Sequence, residues 1–410
     1  MATVAVSLPG FLVGTMAVQL RASLRFNATG LGVAAGAFYL GAALSSVPAS
    51  RLAERIGGVR VMRLVAVAGA AVLVLLGTVV RSWLDLTVLM CVAGGLSGAM
   101  APAVNLFLAR RSPERRQGLA FGVKQAAVPL ASLLGGLAVP AVTLQFGWRW
   151  TFRLSASAAV AAALLVPRAR QSLADRRRQR QATAVVRVRR GPLLVIGAGF
   201  GLGVMAASGT ATFLVSAAVV AGYSKGAAGV LAGIAGACAV MARVLTGARA
   251  DRRGRGHFRV VAAMLAAGAA GYVLLFAGLA VTSTVVVAAG AVLALGLGWG
   301  WNGLLTFAVV RAHADAPASA TGITQVGGRL GGVLGPVLFG VVVAHGSYAD
   351  AWLLATAASL GAAGAVSLGR RLLARQPTGV PASAPALVEG TAAPAAADGS
   401  LPAADVISDG

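Results

Sequence analysis

Apolar residues run through this chain in blocks of about twenty, each closed by a short polar connection. The blocks fall roughly at 2–20, 31–50, 60–80, 84–108, 118–142, 150–167, 192–221, 226–247, 259–281, 285–310, 318–343 and 350–369. Crossing the hydrocarbon core takes ~20 mostly apolar residues as a helix, so each block is the length of one span. A membrane-crossing barrel would instead alternate polar and apolar residues over ~10-residue strands, and no such alternation runs here. The expectation is an all-α integral membrane protein of twelve transmembrane helices. The first block begins almost at Met1 without a charged leader or a cleavage site, which reads as a retained helix, with the true start left open.

Composition sharpens this picture. Of 410 residues, 58% are hydrophobic and 11% charged, with a mean hydropathy of +0.83. Soluble domains carry roughly 25% charged residues. The net charge of +24 would suggest nucleic acid in a soluble protein, but here the positive residues sit in short connections and lack interleaved aromatics, so no nucleic-acid partner is expected. Cys91 and Cys238 lie alone inside apolar blocks, which supports neither a disulfide framework nor a metal site. No cofactor is expected either. Gly201-Leu-Gly203-Val-Met-Ala206 fits a dinucleotide fingerprint by letter only, since no strand precedes it.

The arginines orient the chain. With the N-terminus placed in the cytoplasm, the inner connections hold 26 of the 35 Lys and Arg residues and the outer ones six (Arg21, Arg25, Arg81, Arg149, Arg153 and Lys225). That asymmetry predicts both termini on the cytoplasmic side of a plasma membrane. Trp83, Trp148, Trp150, Tyr223, Tyr348 and Trp352 fall at predicted outer ends, as interfacial aromatics do. The basic stretch 168–191 divides the chain into a six-helix bundle at 1–167 and another at 192–370, while 371–410, rich in Ala, Pro, Gly and Ser, reads as a disordered cytoplasmic tail.

The two halves repeat each other near an offset of 200. Ala120-Phe-Gly122-Val-Lys124-Gln125 returns as Ala320-Thr-Gly322-Ile-Thr324-Gln325, and Gly98, Arg111 and Gly135 return as Gly298, Arg311 and Gly335. Six helices per repeat place both copies in the same orientation, related by an axis along the membrane normal. The loop Gly247-x-x-x-Asp251-Arg252-x-Gly254-Arg255 has a degenerate partner at Ser50–Arg60, and Phe146-Gly147-Trp148-Arg149 precedes the sixth block. On these motifs the chain resembles the major facilitator superfamily over residues 1–370. The resemblance implies two pseudo-symmetric six-helix bundles and a carrier that needs no oligomer. It further implies gate residues at Gly247, Asp251, Arg252, Gly254 and Arg255, with Glu54 and Arg55 as the weaker copy.

Three cations lie inside spans, whereas all eleven acidic residues lie in connections or the tail. Arg329 sits some eleven residues into its helix, roughly 16 Å deep, where an uncompensated Arg costs at least ~2.5 kcal/mol. It should face the interior or a cavity. Gln325 lies one turn away on the same face and Thr321 a further turn. Lys124 is shallower and can snorkel to the interface; Gln125 is the repeat-mate of Gln325. Arg243, four residues before Gly247, reads as a residue that snorkels or packs at the gate. Trp299, Trp301 and Asn302 are candidate cavity residues within the tenth block. The resulting expectation is a secondary transporter of a small, anionic solute, bound by Arg329, Gln325, Gln125, Lys124, Asn302 and Trp301. Efflux of amphipathic drugs on the same fold is the alternative, and a membrane receptor or enzyme a remote one, since no span carries a catalytic constellation. A relay of membrane carboxylates is not available to this chain.

Overall fold

The computed structural model describes residues 1–111, 117–165, 190–252, 256–313 and 316–375, and every regular element among them is helical. The first half comprises α1 (Ala2–Thr15), α2 (Ala17–Leu24), α3 (Ala28–Ile56), α4 (Gly58–Thr78), α5 (Trp83–Arg111), α6 (Gln117–Ala138), the short α7 (Leu144–Phe146) and α8 (Trp148–Leu164). The second comprises α9 (Arg190–Val220), α10 (Lys225–Arg252), α11 (His257–Ala280), α12 (Thr284–Gly296), α13 (Asn302–Ala312), α14 (Pro317–His345) and α15 (Tyr348–Ala374).

Nine of these helices are long and apolar enough to cross a bilayer, and α1 with α2 forms a tenth crossing bent by 71°. The 17-residue α8 and the broken pair α12–α13 complete twelve. Two expected spans therefore differ in shape from the straight helices read in the sequence. The first bends at Met16, and the tenth breaks over the turn Leu297–Trp301, where Gly296, Gly298 and Gly300 weaken the helix. A third irregularity is the π-helical segment Val139–Thr143, which contains Pro140. Proline removes a backbone donor and forces the ladder to re-form around it.

Short connections make successive crossings alternate in direction. The starts of α1, α4, α6, α9, α11 and α14 then share one end of the bundle, called here the basic end, and the starts of α3, α5, α8, α10, α12 and α15 share the far end. Far-end starts other than that of α8 are capped by side chains. Asn27 Oδ1 accepts from Gly30 N–H at 2.9 Å, and Ser82 with Asp85 forms a reciprocal capping box. Ser347 pairs with Asp350 in the same way. Three far-end arginines also cap carbonyls: Arg149 Nη2 donates to Val80 O at 2.9 Å, Arg153 Nε to Gly77 O at 3.1 Å and Arg21 Nε to Phe26 O at 3.4 Å. At the basic end, Gly57 (φ +97°) turns α3 into α4 in a single residue, a backbone geometry that disfavours other side chains.

The two halves meet along α3–α14, α6–α10 and α1–α9. Small residues allow backbones to touch at these seams. A Cβ on Gly32 would lie 2.2 Å from Pro336 O, one on Gly136 2.5 Å from Gly229 O, and one on Gly14 2.6 Å from Ala211 O. On the opposite helix, one on Gly340 would lie 2.7 Å from Ala28 O. All four contacts lie in the far-end half of their helices, so the halves are closed against each other there. Residues Met1–Leu373 pack as one unit.

Candidate functional site

The signature loops come first. Gly247 is buried in the last turns of α10, while the side chains of Asp251 and Arg252, and all of Gly254 and Arg255, lie outside the described residues. Glu54 and Arg55 are exposed at the end of α3. The linker and the tail expected at 168–191 and 371–410 likewise fall largely outside the described residues.

The intramembrane cations are described. Counting 1.5 Å per residue from the basic end of each helix, Lys124 lies about 10 Å in, Arg243 about 14 Å and Arg329 about 18 Å. All three lie on the basic-end side of the closed far-end seams, spread over about 8 Å of depth. Lys124 Nζ donates to Asn105 Oδ1 of α5 at 2.5 Å. Arg329 Nη1 donates across the α3–α14 seam to Ala42 O at 2.9 Å. A guanidinium carries five N–H donors, so this contact occupies one of them.

Arg243 departs furthest from its expectation. It does not snorkel: it is 3% exposed. Its Nε and Nη2 donate to Trp299 O at 3.3 and 3.0 Å, and its Nη1 donates across the α6–α10 seam to Gln125 O. The guanidinium also stacks 5.0 Å from the centroid of the Trp299 ring, a favourable arrangement for a desolvated cation. The partners explain the geometry. Pro129 stands four residues after Gln125 and has no N–H, so the Gln125 carbonyl has no helical donor. Trp299 lies in the break between α12 and α13. A buried carbonyl without a donor in lipid costs several kcal/mol, and Arg243 supplies the missing donors to both.

Polar side chains gather around this pair. Gln125 Nε2 donates to Asn302 Oδ1 at 3.1 Å across the halves. Tyr39 of α3 lies against Gly332, where an added Cβ would come within 2.8 Å of the ring, and it is close enough to Arg243 to interact electrostatically with it. Ala42, which receives Arg329, is one turn beyond Tyr39 on α3. Gln325, on α14 one turn from Arg329, is partly buried. Phe11 of α1 contacts Trp299 with ring centroids 5.5 Å apart.

The structure links Gln125 and Asn302 and adds Arg243 and Trp299 to them, while Arg329 bonds Ala42 and Lys124 bonds Asn105, each on another helix. It sets Trp301 apart: the ring is fully buried in the second half, 5.5 Å from Phe200, with its N–H donating to Gly298 O at 2.7 Å. Trp301 is a core residue of that half, and Trp299, two positions earlier, is the tryptophan that faces the other half. Proline-plus-four arithmetic on Gln125 and Pro129 was the signal that could have marked Arg243 from sequence. Among the described residues, no group of His, Cys, Asp and Glu is placed to hold a metal.

The geometry can be set beside known proteins. The sequence profile of the Major Facilitator Superfamily matches residues 1–336. The chain belongs to this superfamily. It is accordingly a multi-pass membrane transporter and not an enzyme. The chain is 26% identical over 370 residues to a protein of Agrobacterium vitis named "Putative tartrate transporter", covering 80% of this chain and 78% of that protein. A second Agrobacterium vitis protein of that name is 27% identical over 164 residues, and there the match spans only 37% of the relative's length. "Probable anion transporter 2, chloroplastic" of Oryza sativa subsp. japonica is 28% identical over 146 residues, 34% of this chain and 26% of that protein. Among solved structures, a D-xylose–proton symporter superposes with a TM-score of 0.71 at 14% identity, covering 89% of this chain and 95% of that one. The nucleoside transporter NupG gives 0.66 at 13%, covering 90% and 100%. At such identities the likeness concerns the fold alone.

Proposed function

We propose that this protein is a secondary carrier of small organic anions, working by alternating access in a plasma membrane with both termini cytoplasmic. In this reading the halves are 1–167 and 192–370, joined by a basic linker at 168–191. One observation carries the proposal. Two arginines and a lysine lie within the spans, about 10–18 Å from the basic end, and the sequence places carboxylates only at span ends, none beside these cations. Intramembrane cations without acids attract an anion to complete the site, and the planar fork of Arg matches carboxylate bidentately. Arg329 is the principal ligand, using the donors not engaged by Ala42. Arg243 contributes positive charge, and Gln125 and Asn302 offer neutral hydrogen bonds for hydroxyl or carboxyl oxygens. The names of the relatives, tartrate and anion transporters, agree with a hydroxylated dicarboxylate as the solute class.

The test is a thermal-shift screen of detergent-purified protein against dicarboxylates, phosphates, inorganic anions and lipophilic cations, followed by uptake in proteoliposomes. A ligand stabilises by RT ln(1 + [L]/Kd), about 2.7 kcal/mol at a hundred times Kd. Tartrate or a close dicarboxylate is expected to stabilise the wild type, and Arg329→Gln is expected to abolish both the shift and uptake while folding normally. Stabilisation by lipophilic cations alone, equal in wild type and variant, would move the assignment to drug efflux.

A further inference from the structure

Both intramembrane arginines of the second half are tied to backbone carbonyls of the first: Arg329 to Ala42 O and Arg243 to Gln125 O. Neither tie is incidental to the path of motion. Any rocking of one half against the other along the α6–α10 seam must part Arg243 from Gln125. In an empty carrier that movement would leave a guanidinium that is 3% exposed short of an acceptor and a proline-orphaned carbonyl short of its donor. A bound anion removes the larger, ionic part of that penalty by giving the guanidinium a charged acceptor.

We propose that the Arg243–Gln125 bond is a latch that a bound anion releases, making this protein an anion exchanger whose empty form does not cross between its two states. The proposal rests on the anion reading above for its ligand, but the latch itself does not. Three features of the chain build it. Pro129 creates the acceptor by removing the N–H that would have bonded Gln125 O. The α12–α13 break presents Trp299 O, which holds the rest of the guanidinium. The Gln125–Asn302 bond at 3.1 Å adds a second tie from α6 to the other half, through α13. Because the sequence places no carboxylate in the interior of a span, no protonatable acid is at hand to take the solute's place as the charged acceptor of Arg243.

Pro129→Ala separates the latch from the binding site. Alanine restores the N–H four residues after Gln125, so the carbonyl keeps a helical donor when Arg243 leaves, and no solute-binding side chain is altered. The first measurement needs no solute. With Cys91 and Cys238 replaced by serine, spin labels at Val79→Cys and Val281→Cys, exposed far-end positions in opposite halves, report far-end opening in empty protein. A single distance is expected for the parent, and a second, longer one in Pro129→Ala. Identical distributions would overturn the latch whatever the solute proves to be. The second measurement uses proteoliposomes loaded with labelled tartrate. Efflux into tartrate-free buffer should be at least tenfold slower than efflux into unlabelled tartrate, and Pro129→Ala should bring that ratio towards one with exchange retained. Equal wild-type rates in the two buffers would refute exchange while leaving the anion reading standing. Failure of tartrate to move in either mode, with a second distance present in Pro129→Ala, would fault the ligand and retain the latch.

Discussion

Gly32 offers the sharpest test of the closed far end. A Cβ built there would sit 2.2 Å from the carbonyl oxygen of Pro336 in the opposite half, whereas a carbon–oxygen contact needs roughly 3.3 Å in ordinary packing. Neither atom belongs to a flexible side chain, so accommodating an alanine requires α3 and α14 to separate by about 1 Å. Overpacking of this kind costs roughly 1–3 kcal/mol. The cost falls only on the state in which the seam is closed, so Gly32→Ala should favour far-end opening roughly 5- to 140-fold. Ala28, 3% exposed and one turn from Gly32, reports this as a cysteine in a background lacking Cys91 and Cys238. Its labelling by an impermeant maleimide should accelerate by that factor. Gly41→Ala is the contrast: its Cβ would press on Cys91 O at 1.9 Å inside the first half, so it should lower the melting temperature without exposing Ala28→Cys. Gly364, with nothing within 4 Å, is the neutral control. Wild-type labelling in Gly32→Ala, with the protein folded, would refute the seam as described.

Two further outcomes follow from the caps and the tryptophans. Arg149→Ala and Arg153→Ala each remove a donor to the end of α4, at Val80 O and Gly77 O; each should cost about 1 kcal/mol, read as a lower melting temperature with unchanged tartrate affinity, and a change in affinity would contradict a purely capping role. Trp301→Phe should likewise lower stability, through loss of the bond to Gly298 O, and leave transport kinetics alone. Trp299→Phe, which alters the ring under Arg243, should change transport; the reverse pattern would exchange the roles assigned to the two residues.

Much of the fold was legible because lipid leaves a chain few choices. Twenty-residue apolar blocks, arginine asymmetry and a repeat of 200 residues together specify twelve crossings in two halves. The irregularities were less legible. The bend at Met16 has no proline or glycine at the bend itself, and it follows from tertiary packing of α1 and α2 that a local pattern does not encode. The break at Leu297–Trp301 was signalled by three alternating glycines, but uniform hydropathy across 285–310 masks such a signal. Asp85 and Asp350 were read only as outer-loop charges, although Ser82-x-x-Asp85 and Ser347-x-x-Asp350 spell capping boxes that fix where α5 and α15 begin.

The site was legible through charge and misread through position. Arg329 stands out because nothing in its own helix can satisfy it, and the same reasoning picked out Gln125 by its repeat-mate Gln325. Arg243 was discounted because it lies within reach of the basic end and beside the signature loop. Distance to water says whether a cation can snorkel; it does not say whether the fold has a stronger claim on it. Here the stronger claim is made on other helices, by a proline in α6 that orphans one carbonyl and by a break before α13 that exposes another. Each defect would be costly alone in lipid, and so would a buried arginine without an acid. Together they satisfy one another: the bond to Trp299 O stays within one half, but the bond to Gln125 O holds only while the two halves keep their present relation. On the latch proposal, the arginine that mends both defects therefore also resists leaving this state until an anion takes the carbonyl's place.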